Sequence, residues 1–216
     1  MNLEQVRFNM IEQQIRPCEV LDTTVLDLLK QVRRENFVQA DKKALAFADL
    51  EIPLGFGVAM WQPKLEARVV QDLHVRRSDK VLEVGTGSGY LTALLAAVGG
   101  HVTSVEIVPE LSAQAQKHLA AEQIHNVTLA VGDAAQGWGS DSYDVIVLTG
   151  STPVLPEAFK QALKVGGRLF AIVGDAPAMT ARIITRVAED RYENKNILET
   201  VVVPLQNALQ PERFVF

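Results

Sequence analysis

The chain is predicted to be an α/β protein, built on a doubly wound and mostly parallel sheet of seven strands, with an antiparallel pair of strands late in the chain and a helical extension in front. Three observations predict this. From Lys80 onward, short apolar runs alternate with helical patterns, as a parallel sheet covered on both faces requires. The first of these runs leads directly into the glycine turn Gly85-Thr86-Gly87-Ser88-Gly89, where the ligand-side loop of such a sheet begins. The last two strand-like runs have no helix between them, which predicts antiparallel pairing.

Leu3, Val6, Met10 and Ile15 stand among Gln, Arg and Glu and predict an amphipathic helix over residues 3–15, which Pro17 stops. Asp22 can cap a second helix, whose apolar positions Val25, Leu26, Leu29 and Val32 follow the helical period up to Arg33-Arg34. Residues 37–62 show no long period and read as a loop with room for one short strand. Pro63 suits the first position of a third helix, because its missing N–H would have no partner there in any case. Leu65, Val69, Val70 and Leu73 give that helix a face to bury.

The strands follow as KVLEV (80–84), HVTSVEI (101–107), NVTLAV (126–131), YDVIVLT (143–149) and GRLFAIV (167–173). Helical segments lie between them at residues 90–98, 109–122 and about 156–163. The closing pair is expected from ARIITRV and ILETVVVPL, with the polar AEDRYENKN as their connection. No linker or internal repeat is visible. Residues 1–78 are therefore expected to form a helical extension and a substrate-side loop, packed on a single unit of residues 79–216.

A length of 216 residues with 48% apolar and 22% charged content is that of one ordinary globular domain. A net charge of −5 gives no footprint for phosphate backbones, so nucleic acid is not an expected partner. The longest apolar stretch, at residues 90–98, falls well short of the ~20 residues that cross a bilayer, so no membrane association is expected. The first ten residues lack a secretory layout and Cys18 is the only cysteine, which points to a cytoplasmic protein. His74, His101, His118 and His125 have no metal-ligand spacing, and no metal is expected.

The chemistry is concentrated at the glycine turn. Its spacing is G-x-G-x-G, and Tyr90 occupies the place of the third glycine of the dinucleotide pattern, which argues against a nicotinamide or flavin oxidoreductase. Glu83 ends the approach to the turn, Glu106 ends the second strand and Asp133 follows the third. A carboxylate at a strand end is most often a cap or a solvated turn. Three in order around a glycine turn instead suit a nucleoside that carries positive charge, Glu106 accepting from ribose hydroxyls and Asp133 from an adenine amino group. No Walker loop, nucleophile elbow or H-E-x-x-H pattern competes.

VLEVGTGSGY, the acid of TSVEI, GDAAQGW, YDVIVLT and LKVGGRLFAIVG resemble the S-adenosylmethionine-dependent methyltransferases. RRENFV, FADLEIPLGFG, MWQP, TPVLP and VVVPL narrow the resemblance to the protein-L-isoaspartate O-methyltransferase family, over nearly the whole chain. That resemblance implies a Rossmann-like methyltransferase fold and S-adenosyl-L-methionine as cofactor. It also implies a protein or peptide substrate, whose isoaspartyl α-carboxylate is esterified as a step of protein repair; a small molecule is the other substrate class to weigh. By position it implies that Gly85, Gly87 and Gly89 cradle the methionine part of the cofactor with Glu83 near its amino end, that Glu106 holds the ribose, and that Asp133 and Ala134 hold the adenine. The family usually has glycine at Ala134. A monomer or weak dimer is expected.

The main departure is in PLGFGVAMWQP, where the family reads close to PIGHGQTISQP and where its serine, which helps to position the substrate carboxylate, is replaced by Trp61. Three readings of Trp61 stay open: a plug that closes the acceptor side, a stacking face for a more apolar acceptor, and an indole N–H that still donates to a carboxylate. A plug would leave a catalytically silent cofactor-binding homologue. Ser151 and Thr152, after the fourth strand, are the candidates to take over positioning of the acceptor.

Overall fold

The protein is described from a computed structural model, over residues 2–212. Helix α1 (Leu3–Met10) starts from Asn2, whose side chain accepts from the Gln5 N–H at 3.3 Å. The winding then widens into a π-helical segment, Ile11–Ile15, and tightens into a single 3₁₀ turn, Arg16–Cys18, before Glu19 turns left-handed at φ 63°. Helix α2 (Thr23–Gln31) is capped as its sequence predicts, with the Asp22 carboxylate accepting from the Thr24 N–H at 2.8 Å.

The stretch expected as loop contains more structure than its pattern suggests. A 3₁₀ helix, Ala40–Phe47, leads into a separate antiparallel hairpin of β1 (Ile52–Gly55) and β2 (Val58–Met60). Its tip, Gly55-Phe56-Gly57, is left-handed at all three residues, with φ of 90°, 54° and 76°. Pro63 then opens α3 (Pro63–Leu73), as expected.

The remaining elements are β3 (Lys80–Val84), α4 (Tyr90–Val98), β4 (His101–Glu106), α5 (Pro109–Ala121), β5 (Val127–Val131), β6 (Tyr143–Thr152), α6 (Glu157–Gln161), β7 (Leu163–Asp175), β8 (Ala178–Ala188) and β9 (Arg191–Glu199). Seven of the strands form one sheet in the order β5-β4-β3-β6-β7-β8-β9. The first five of that order are parallel, and β8 and β9 are antiparallel to their neighbours. This is the expected mixed sheet.

The last pair uses different residues from those expected. The polar RYENKN belongs to β9 itself, an edge strand that is largely solvated, and the chain turns at Glu189-Asp190. VVVPL leaves the sheet and runs as a strap alongside β6, where the Ser151 N–H donates to Val203 O at 3.1 Å and the Leu205 N–H to Ser151 O at 2.9 Å.

Alternation along the central strands divides the core. Val81, Val145 and Val147 face one side, where they share a cluster with Met10, Ile15 and Leu29 of the N-terminal helices. Leu82, Val84, Ile146 and Leu148 face the other, with Phe159 and Leu163. Among the described residues, no helix is long and apolar enough to cross a membrane.

Candidate functional site

The glycine turn between β3 and α4 is held in a form that side chains resist. Gly85, Gly87 and Gly89 have φ of 97°, 53° and 85°, in the left-handed region. A Cβ on Gly85 would overlap Thr149 Oγ1, and one on Gly89 would come within 3.1 Å of Ala115 on α5. The Thr149 hydroxyl in turn donates to Val84 O at 2.8 Å and Gly85 O at 2.7 Å, so β6 holds the base of the turn. Glu106, at the end of β4, accepts from the Gly87 N–H at 2.9 Å and the Val108 N–H at 3.0 Å. Asp133 accepts from the Ala135 N–H at 3.0 Å and from Asn207 Nδ2 at 2.8 Å.

These groups wall a cleft of about 740 Å³, part of it open to solvent, at the carboxyl ends of the parallel strands. Gly85, Gly87, Glu106, Asp133 and Ala134 all line it, and Gly89 does not. Gly89 is the residue before α4, where its missing side chain lets α5 approach. The strap contributes Val203 to Gln206, and the hairpin contributes Leu54, Val58 and Ala59.

A smaller cavity of about 340 Å³ adjoins the first and shares Leu54, Ala59, Trp61, Gly85, Gly87 and Thr149 with it. Glu83 faces this second space. It is wholly buried; one oxygen accepts from the Thr92 hydroxyl and from Ser104 Oγ at 2.6 Å, and Oε1 has no partner among the described residues. Burial pushes its carboxyl up to about 8. Glu66, from α3, also faces it, with Oε2 accepting from Arg34 Nε at 3.0 Å. Burial pushes Glu66 up to about 7, against the pull of the Arg34 guanidinium.

Trp61 is at once a core residue and a wall of both cavities. It is only 6% exposed and meets Phe170 edge to face, with ring centroids 6.1 Å apart. Its carbonyl is held by Arg34, which also donates to Ala46 O at 2.9 Å. Arg34 is itself 1% exposed, so one buried guanidinium ties α3, the 3₁₀ helix and the residue after β2 together.

Ser151 and Thr152 require a correction. Both are fully buried and neither lines either of these two cavities. Ser151 Oγ donates to Val202 O at 3.2 Å and Thr152 Oγ1 to Val154 O at 2.6 Å, so both hydroxyls are spent on backbone carbonyls. The physical reason is the strap, which pairs with β6 at Ser151 and takes up its hydroxyl through Val202 O, while Thr152 closes the turn that follows β6. The hydroxyl-bearing residues that do line the smaller cavity are Thr86, Ser88 and Thr149. Sequence reasoning missed Thr149, Arg34, Glu66, Asn207 and the strap. For Thr149 a signal existed, since it ends the fourth apolar run at the same sheet edge as the glycine turn.

Residues 5–210 match a family model described as protein-L-isoaspartate(D-aspartate) O-methyltransferase. The chain is 40% identical over 189 residues to the protein-L-isoaspartate O-methyltransferase of Anaeromyxobacter dehalogenans strain 2CP-1, covering 86% of this chain and 90% of that one. It is 37% identical over 201 residues to protein-L-isoaspartate O-methyltransferase 1 of Rhodopseudomonas palustris strain HaA2, covering 92% and 82%. The fold resembles the crystal structure of a putative protein-L-isoaspartate O-methyltransferase from Plasmodium falciparum in complex with S-adenosyl-L-homocysteine, with a TM-score of 0.79 at 18% identity over 95% of this chain and 98% of that one.

Proposed function

The chain belongs to the protein-L-isoaspartate O-methyltransferase family, and from that premise we propose that it esterifies the free α-carboxylate of isoaspartyl residues in proteins or peptides. It is an S-adenosylmethionine-dependent methyltransferase. The residues present fit that cofactor: the left-handed glycines let a ligand lie against the backbone, and Glu106 and Asp133, which line the larger cavity, offer acceptors to its hydroxyls and amino groups. Gly85 and Gly87 would hold the methionine part with Glu83 near the amino end. Glu106 would hold the ribose, and Asp133 with Ala134 the adenine. When bound, the cofactor supplies an electrophilic methyl on a sulfonium.

The protein has little proton chemistry to perform. A carboxylate with an ordinary pKa near ~3.9 is already ionised at pH 7, so no base has to activate it. What remains is to bring the acceptor oxygen into line and exclude water, which is catalysis by proximity and orientation. The observation that carries this reading is the junction of the two cavities at Trp61, Gly85 and Thr149, a large one beside the carboxylates for the cofactor and a small one for the acceptor. The open space beside Trp61 speaks against the plug.

The test is methylation of an isoaspartyl peptide by the wild-type protein and by Trp61→Ser. Turnover by the wild type is expected. Turnover by Trp61→Ser alone would overturn the assignment and make Trp61 the plug.

A further inference from the structure

The smaller cavity presents an unusual set of charges for an enzyme that takes an anionic acceptor. Its charged lining residues are Glu66 and Glu83; no Lys, Arg or His lines it, and Arg34 meets Glu66 from behind the wall. Glu83 lies on β3 beneath the glycine turn, on the cofactor's side. Glu66 lies on α3, on the acceptor's side, and the turn does not use it. One of its oxygens holds Arg34 Nε, whereas the other accepts from no described residue and, unlike Glu83 Oε1, is not sealed inside the protein. The residue as a whole is 2% exposed. A carboxylate oxygen buried this deeply without a donor is costly, and a ligand that brings an N–H would relieve that cost.

We propose that Glu66 is a specificity residue, which accepts a hydrogen bond from the amide N–H adjoining the carboxylate to be methylated while the Trp61 indole N–H donates to that carboxylate. The inference rests on the isoaspartyl reading above and names how the acceptor is chosen. In an isoaspartyl residue the α-carboxylate and the amide nitrogen share one carbon, an arrangement otherwise found only at a peptide's C-terminal carboxylate. The side-chain carboxylates of Asp and Glu are flanked by a methylene instead. They bring the same negative charge to the cavity but no N–H to offer Glu66, which is rejection through an unpaired buried group. Arg34 gives the pair its fixed geometry, since the same guanidinium holds the Glu66 side chain and the Trp61 carbonyl.

The experiment measures kcat/KM for an isoaspartyl peptide and for the same peptide methylated on the isoaspartyl amide nitrogen, with wild type, Glu66→Val and Glu66→Gln. The wild type is expected to lose about 10- to 100-fold on N-methylation, the scale of one lost buried hydrogen bond. Glu66→Val is expected to be slower on the parent peptide and nearly indifferent to N-methylation. Should loss of the Arg34 partner unfold Glu66→Val, Glu66→Gln carries the comparison, with a reduced N-methylation penalty as the expected result. Binding of S-adenosylhomocysteine by each variant checks that the cofactor side is intact. An equal N-methylation penalty in wild type and variants overturns the role of Glu66 and leaves the isoaspartyl assignment standing. Absence of wild-type turnover on the parent peptide overturns both.

Discussion

At Gly85 the left-handed backbone, with φ of 97°, and the Thr149 hydroxyl directly above it leave no room for a β-carbon. Gly85→Ala should therefore cost about 2 kcal/mol or more in stability, from the left-handed strain and the overlap together, and should weaken S-adenosylhomocysteine binding more than 10-fold. Thermal unfolding and calorimetric titration measure the two effects, and unchanged values in both would refute this close packing of Gly85 against Thr149. Gly85, Gly87, Glu106 and Asp133 are legible in the sequence because strand ends and tight turns obey local rules. Ser151 and Thr152 are not, because a strap from the far end of the chain covers the end of β6. Glu66 and Arg34 read as charges on a solvated face, and only the tertiary packing of α3 reveals that they are buried as a pair.

Whole elements were readable in proportion to their length and pattern. Helix α2 carries its own start signal, and Asp22→Ala should cost about 1 kcal/mol with no change in KM for either substrate. In a chain of this size that corresponds to roughly 2–4 °C in melting temperature, and a larger loss would mean that Asp22 does more than cap. The strands of the hairpin, of four and three residues, are too short to establish a period, and the glycines between them read as loop. At β9 the pattern misleads in the opposite direction. A solvated edge strand needs few apolar residues, whereas the apolar VVVPL serves as the strap over the cavity.

For the molecule as a whole, the alternation of strand and helix was enough to give the parallel sheet and its antiparallel end, because parallel neighbours require crossovers. What it could not show is that the N-terminal helices and the central strands share one core cluster. The same burial gives the protein a pH dependence. Glu83 and Glu66 are pushed up from 4.5 to about 8 and about 7, so the native state holds their protons more tightly than the unfolded chain does. Their contribution to stability is full below pH 4.5 and is lost as pH rises through 7 and 8. Unfolding by denaturant should show a loss on the order of a few kcal/mol between pH 6 and 9, and Glu83→Gln should flatten it. A wild-type profile that is already flat in this range would contradict the burial of both acids.

The chain has two tryptophans. Trp61 forms a wall of both cavities, and the ring of Trp138 lies so close behind Gly132 on the larger one that a Cβ there would sit 2.8 Å from it. One indole thus borders the site and the other backs its wall, so ultraviolet emission excited at the tryptophan band reports on the site and its immediate support. Ligand entry to either cavity can therefore be followed without a label, through the emission of Trp61.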